Sequence, residues 1–193
     1  MRRTYFFGVA TDTQDREGAV TATGDSTGLN EADISSVLDQ FRGEIDQYVS
    51  LYSSVKVDGK KLRVLMRDER YAKSVSFDDE MHKHLILTPV EGSNAPALDI
   101  PVPRRRISIY DISLISCRTA AGNELAELQL PENAPEQFTV ARIRVHCSKG
   151  TYVRQLAEDI GDALGTPATL LQLTRTSIAD VSIADTVDIE SLS

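Results

Sequence analysis

The sequence predicts an α+β fold: a mixed, largely antiparallel sheet with a few helices packed on it. Three observations lead there. Strand-type patterns outnumber helix-type patterns along the 193 residues. Most of those strands are separated by turn signals and not by crossover helices. A clear apolar period of 3.6 residues occurs in two stretches, one starting after Asn30 and one at Val153.

The elements follow in order. Residues 2–10 are rich in Thr, Tyr, Phe and Val and read as a strand, and residues 11–18 read as a polar turn. Asn30 is placed to cap a helix whose Ile34, Val37, Leu38 and Phe41 fall on one face, with Gly43 as its stop. Residues 50–66 alternate enough for a hairpin, with Asp58-Gly59 as a type I′ turn. Residues 71–100 are less regular, and 91–96 read as a loop. Arg106 to Cys117 reads as a strand, followed by turns at Gly122-Asn123 and at 131–135.

The next strand alternates strictly. Thr139, Ala141, Ile143, Val145 and Cys147 fall on one face, and Arg142, Arg144 and His146 on the other. After it, Val153, Leu156, Ala157, Ile160 and Leu164 share one side of a helix that Gly165 is placed to end. A Ser148-Lys149-Gly150-Thr151 turn therefore delivers Tyr152 and Arg154 to a strand-to-helix junction, where backbone N–H groups and cations converge on an anion.

Composition narrows the class. Hydrophobic content of 41% and charged content of 26% are ordinary for a soluble globular chain. No apolar run approaches a membrane span, and no apolar segment follows Arg2-Arg3 as in a signal peptide, so the expected compartment is the cytoplasm. Cys117 and Cys147 sit in strand patterns and read as small, reduced, buried hydrophobes. They and His82, His84 and His146 have no metal-ligand spacing. The net charge of −8 opposes nonspecific nucleic-acid binding by the whole surface. The charge is uneven, however. Residues 12–46 hold nine acids and two bases, whereas 55–73 hold seven bases and three acids, and Arg104-Arg105-Arg106 form a second basic cluster. Such runs are either solvated surface or a place for phosphates.

Five segments, in order, resemble one family. They are Gly8-Val9-Ala10-Thr11-Asp12-Thr13-Gln14-Asp15-Arg16-Glu17-Gly18, Phe41-Arg42-Gly43-Glu44-Ile45-Asp46-Gln47, the run from Tyr52 to Lys61, Cys147-Ser148-Lys149-Gly150-Thr151-Tyr152-Val153-Arg154, and Leu173-Thr174-Arg175-Thr176. Together they resemble the TruB family of tRNA pseudouridine synthases, in its bacterial stand-alone form. The resemblance implies a pseudouridine synthase-like catalytic domain spanning residues 1–193. Within it, residues of about 68–100 form an irregular insert, and no clear C-terminal RNA-binding domain follows. It implies isomerisation of the T-loop uridine of tRNA, nucleotide 55, to pseudouridine.

That reaction detaches uracil from ribose, turns it and rejoins it through carbon. The base must first be flipped out of its loop. It then needs a stacking aromatic, an apolar pocket and an ionised carboxylate held by an Arg. No cofactor is needed. The resemblance implies that Tyr152 contacts the flipped base, that Arg154 pairs with the catalytic Asp, and that Leu173 packs in the uracil pocket. Lys56, Lys60, Arg67 and Lys149 are expected to meet phosphates of the tRNA T-arm. Without the motif, Tyr152 reads as half-core and Arg154 as a surface ion pair. His146 reads as a strand residue near the turn.

One family element is not found in these 193 residues: the Gly-Ala-Leu-Asp-Pro loop that carries the catalytic Asp and lies upstream of the Thr-Asp-Thr turn. The nearest match, Ala97-Leu98-Asp99-Ile100-Pro101, follows that turn and lacks the flanking residues. Arg154 would then hold a positive charge with no assigned partner. Two expectations follow. The chain is a truncated form or fragment of the enzyme, lacking the N-terminal segment and inactive or nearly so by itself, with a separate N-terminal fragment as a partner. Alternatively, it is a non-catalytic tRNA-binding remnant.

Overall fold

A computed structural model describes residues 2–125, 128–179 and 181–185. In chain order the elements are β1 (Arg2–Phe7), β2 (Val9–Thr11), β3 (Val20–Thr23), α1 (Glu31–Asp39), β4 (Gly43–Tyr48), β5 (Lys56–Val57), β6 (Lys60–Lys61), α2 (Leu62–Met66), β7 (Tyr71–Phe77), β8 (Lys83–Pro89), β9 (Leu98–Pro101), β10 (Arg104–Ala121), β11 (Gln137–Cys147), α3 (Val153–Leu164), β12 (Ala168–Thr174), β13 (Ser177–Ile178) and β14 (Val181–Ser182). The α+β class is as predicted. The chain divides into two compact units, residues 1–45 with 107–193, and residues 46–106.

The first unit is built on a five-stranded sheet in the order β12-β1-β11-β10-β4. β1 lies between β11 and β12 and is antiparallel to both. Tyr5 and Phe7 of β1 are fully buried, as are Ile109 and Ile112 of β10 and Ile143 and Val145 of β11. Against these pack Ile34 and Leu38 of α1 and Leu156, Ala157 and Ile160 of α3. The alternation of β11 is as expected from Thr139 to His146, with Thr139, Ala141, Ile143 and Val145 buried and Arg142, Arg144 and His146 exposed, but Cys147, like Cys117, is half-buried and not buried. A smaller core gathers Val9, Ala120, Leu128, Phe138 and Val140.

Local chemistry explains the boundaries. Asn30 closes a capping box on α1: its side chain accepts from the Ala32 and Asp33 amides while the Asp33 side chain accepts from the Asn30 amide. α1 ends at Asp39, before Gly43, which instead opens β4 at φ +92°. Gly165 ends α3 in the left-handed conformation. The strand expected over residues 2–10 is split at Gly8, where φ is +99° and the amide turns to donate to the Pro167 carbonyl at 2.6 Å. A Cβ there would lie 2.7 Å from the Phe138 ring, so only glycine makes the bend.

The second unit departs more from the sequence reading. Asp58-Gly59 does form the turn, with φ of +48° and +79° at the two residues. Its hairpin is only two residues per arm, however, and residues 62–66 are helical. The reason lies in Leu62 and Leu65. Both are buried, and a three-residue spacing brings two side chains to one side only in a helix. The stretch 71–100, expected to be less regular, holds a three-stranded antiparallel sheet in the order β7-β8-β9. β7 buries only Tyr71, and Val75 and Phe77 on the same face are exposed, so no buried face marks it. β8 alternates, with Lys83, Leu85 and Leu87 buried. No helix among the described residues is long and apolar enough to cross a membrane.

Candidate active site

The turn at residues 11–18 is held in place from three sides. Its backbone bridges to β12: Leu170 N–H donates to the Gln14 carbonyl at 3.1 Å, and Arg16 N–H donates to the Leu170 carbonyl at 3.1 Å. The Thr11 hydroxyl donates to the Asp15 carbonyl at 2.7 Å and lies 3.0 Å from the Thr169 hydroxyl. Gln14, at φ +62°, donates its side-chain amide to Gln155 at 2.9 Å and to Glu158, both on α3. Gly18 closes the turn so tightly that a Cβ would collide with the Thr13 hydroxyl and lie 2.5 Å from the Asp12 carboxylate.

This scaffold aims one carboxylate. Asp15 Oδ1 accepts from the Thr13 hydroxyl at 2.7 Å and from the Glu17 amide at 3.1 Å. Its Oδ2 accepts from Arg154 Nη2 at 2.6 Å, and the Asp15 side chain is only 13% exposed. Arg154 stands on the first turn of α3. That helix packs so closely on β12 that a Cβ on Gly161 would lie 2.6 Å from that of Ala168. Asp15, Arg154, Leu170 and Leu173 line one cavity of about 270 Å³. The volume falls just below the range usual for drug-sized ligands, which fits something as small as one base. Its wall combines an apolar floor, a bound guanidinium and a desolvated carboxylate.

The Ser-Lys-Gly-Thr turn that precedes α3 is fixed to β10. Ser148 N–H donates to the Ser108 carbonyl at 2.8 Å, Ser108 N–H donates to the Ser148 hydroxyl at 3.0 Å, and Gly150 takes φ +86°. Tyr152 is the N-cap residue of α3 and is half-buried.

Of the residues singled out by sequence, Arg154 and Leu173 share the 270 Å³ cavity. Lys149 lines a different cavity on the other side of the turn. Lys56, Lys60 and Arg67 are exposed in the second unit, on β5, on β6 and at the end of α2. The expectation that Arg154 has no partner is corrected: Asp15 binds it. Asp15 is the residue the sequence reading passed over, as one more polar member of a turn, although it stands inside the quoted Thr-Asp-Thr-x-Asp-x-x-Gly segment. Asp99 is in the second unit, where its Oδ1 lies 2.6 Å from His84 Nδ1 and raises the imidazole pKa. The Arg104-Arg106 cluster is partly committed: Arg104 stacks 4.4 Å over the Tyr48 ring, and Arg106 pairs with Asp46 at 3.2 Å. Among the described residues no group of His, Cys, Asp and Glu is placed to hold a metal ion.

Comparison with known proteins meets this geometry. A family model described as TruB family pseudouridylate synthase (N terminal domain) matches residues 2–87. A tRNA pseudouridine synthase B of Staphylococcus saprophyticus is 31% identical over 196 residues, covering 99% of this chain and 50% of that protein. The chain is similar to TruB family proteins over almost its whole length. Proteins of the same name from Azoarcus and Bordetella avium are 35% and 33% identical, covering 96% and 99% of this chain and 46% and 60% of their own lengths. The chain thus spans about half the length of the curated relatives it matches. Within this chain, the Thr-Asp-Thr turn and the Ser-Lys-Gly-Thr-Tyr-x-Arg run are far apart in sequence. The contact between Asp15 and Arg154 brings them together.

Proposed function

We propose that this chain supplies the base-binding and RNA-gripping part of a tRNA pseudouridine synthase acting on the T-loop uridine. The observation that carries the reading is the 270 Å³ cavity in which an Arg held by a carboxylate faces Leu173. Asp15 engages one Nη of Arg154 and orients the guanidinium. A guanidinium has five donors in a planar fork, so a second carboxylate can pair with the same group. That second carboxylate is the nucleophile or base of the reaction, kept ionised by Arg154. It comes from a Gly-Ala-Leu-Asp-Pro loop outside these 193 residues, either upstream in a longer chain or in a separate fragment. Leu173 and Leu170 give the uracil an apolar seat, and Tyr152 contacts the flipped ring. Lys56, Lys60, Lys149 and Arg67 meet backbone phosphates of the T-arm.

The experiment is tritium release from [5-³H]uridine-labelled tRNA. The expected result is no release by the 193 residues alone and release once the upstream segment is restored. An inactive completed chain overturns the enzyme reading. The second reading, a binding-only module, is favoured by one observation: Lys56, Lys60 and Arg67 stand exposed in the second unit. It expects salt-sensitive tRNA binding by these residues and no isomerisation in the completed chain.

A further inference from the structure

A second cavity, of about 640 Å³, opens on the other side of the Ser-Lys-Gly-Thr turn. Neither the Asp15–Arg154 contact nor the base-binding role uses it. Tyr110 and His146 line it, with ring centroids 4.9 Å apart and planes tilted by 58°. Tyr110 is 61% exposed, so its ring serves no core. Lys149 and Arg175 also line this cavity, and neither has an ion-pair partner among the described residues. No carboxylate stands among its described lining residues. The nearby Asp111 is already taken by Arg42 at 2.7 Å. An exposed aromatic pair beside two unpaired cations is the pairing of groups that binds an unstacked base and its phosphate.

The position of the cavity identifies the source of that nucleotide. Val153, the first residue of α3, lines both this cavity and the one containing Asp15, Arg154 and Leu173. Two chambers that share one side chain as a wall suit adjacent nucleotides of a single strand. We propose that the 640 Å³ cavity holds a second unpaired nucleotide of the RNA, its base on the Tyr110–His146 pair and its phosphate met by Lys149 and Arg175. This rests on the RNA reading above. The site grips the strand next to the flipped base and holds the loop open.

The test uses the 193-residue protein, which contains no Trp to confuse a fluorescent base. T-arm stem-loops carry a 5′ fluorescein for anisotropy, or 2-aminopurine at one loop position at a time. The wild type is expected to quench 2-aminopurine at a loop position beside the target uridine. Tyr110→Ala abolishes that quenching and weakens binding roughly tenfold. Tyr110→Phe retains both. The Lys149→Ala, Arg175→Ala double variant lowers the slope of log K against log salt by about 0.7 per cation removed. Tyr110→Ala leaves that slope unchanged. Wild-type RNA binding that is unaffected by Tyr110→Ala overturns the second-nucleotide site and leaves the proposed function standing. No RNA binding by the wild type at low salt overturns both. If free 2-aminopurine riboside monophosphate is quenched at the concentrations where the RNA binds, with the same Tyr110 dependence, the cavity is a mononucleotide site and the strand assignment fails.

Discussion

Replacing Asp15 by Ala removes three accepted hydrogen bonds at once. The Thr13 hydroxyl and the Glu17 amide bind Oδ1, and each such bond is worth about 1 kcal/mol net. The Arg154 contact at 2.6 Å has the length of a strong charge-assisted bond. Yet the Arg154 side chain is 43% exposed and regains water when released, which reduces its share to about 1 kcal/mol. Asp15→Ala is therefore expected to cost about 3 kcal/mol. Asp15→Asn keeps the shape and one carbonyl acceptor, and should cost about 1 kcal/mol. The Arg154 share can be isolated by a double-mutant cycle with Arg154→Met, which preserves the apolar stem. Urea unfolding at pH 7, followed by far-UV circular dichroism, is the assay, with equal m-values for all variants. A coupling energy of about 1 kcal/mol is expected. If the two substitutions add to within about 0.3 kcal/mol, the contact does not bind the turn to α3 and the reasoning is refuted.

Two further outcomes follow from the geometry. Gly161→Ala places a methyl group 2.6 Å from Ala168 Cβ and should cost about 1–3 kcal/mol, whereas Gly28→Ala, with nothing within 4 Å, should be near neutral; equal thermal shifts would contradict the close packing of α3 on β12. The hydrogen bond that His84 donates to the Asp99 carboxylate, aided by Asp78, raises the His84 pKa above 6.5. The protonated form is therefore favoured by folding. Its stabilisation is complete below pH 6.5 and is lost as pH rises through the raised folded-state value. Nuclear magnetic resonance titration should place the His84 midpoint above 6.5, and His84→Gln should flatten the pH dependence of stability in that window. A midpoint at or below 6.5 sinks this account.

The most legible parts of the chain were those whose pattern is set by one buried face. β11 alternates because one face lies on the core, and α3 keeps a helical period because one side lies on β12. β7 was not legible, since almost all of it is exposed on both faces and its pairing with β8 is decided by hydrogen bonds between strands. The candidate site divides in the same way. Arg154 and Leu173 were legible through their motif. Asp15 was not, because a carboxylate in a polar turn has the same local sequence whether it points to water or to an Arg brought in by the fold. The hairpin at Asp58-Gly59 was correctly placed by its turn residues, but its length was overestimated, since Leu62 and Leu65 turn the chain into a helix.

The place of β1 between two strands that are made much later has a consequence for synthesis. Tyr5 pairs with Ala141 on one side and Leu170 on the other. At ribosomal speeds of about 5–20 residues per second, β1 waits roughly ten seconds for the first of these partners. Until then Tyr5 and Phe7, later fully buried, are open to water and to neighbouring chains. The sheet can grow from its β4 edge as β10 and then β11 are made, but β1, the first strand synthesised, joins it only when β11 arrives. A nascent chain with this layout has to be kept apart from others by a chaperone or by dilution, and its yield should depend on translation rate more than its folded stability would suggest.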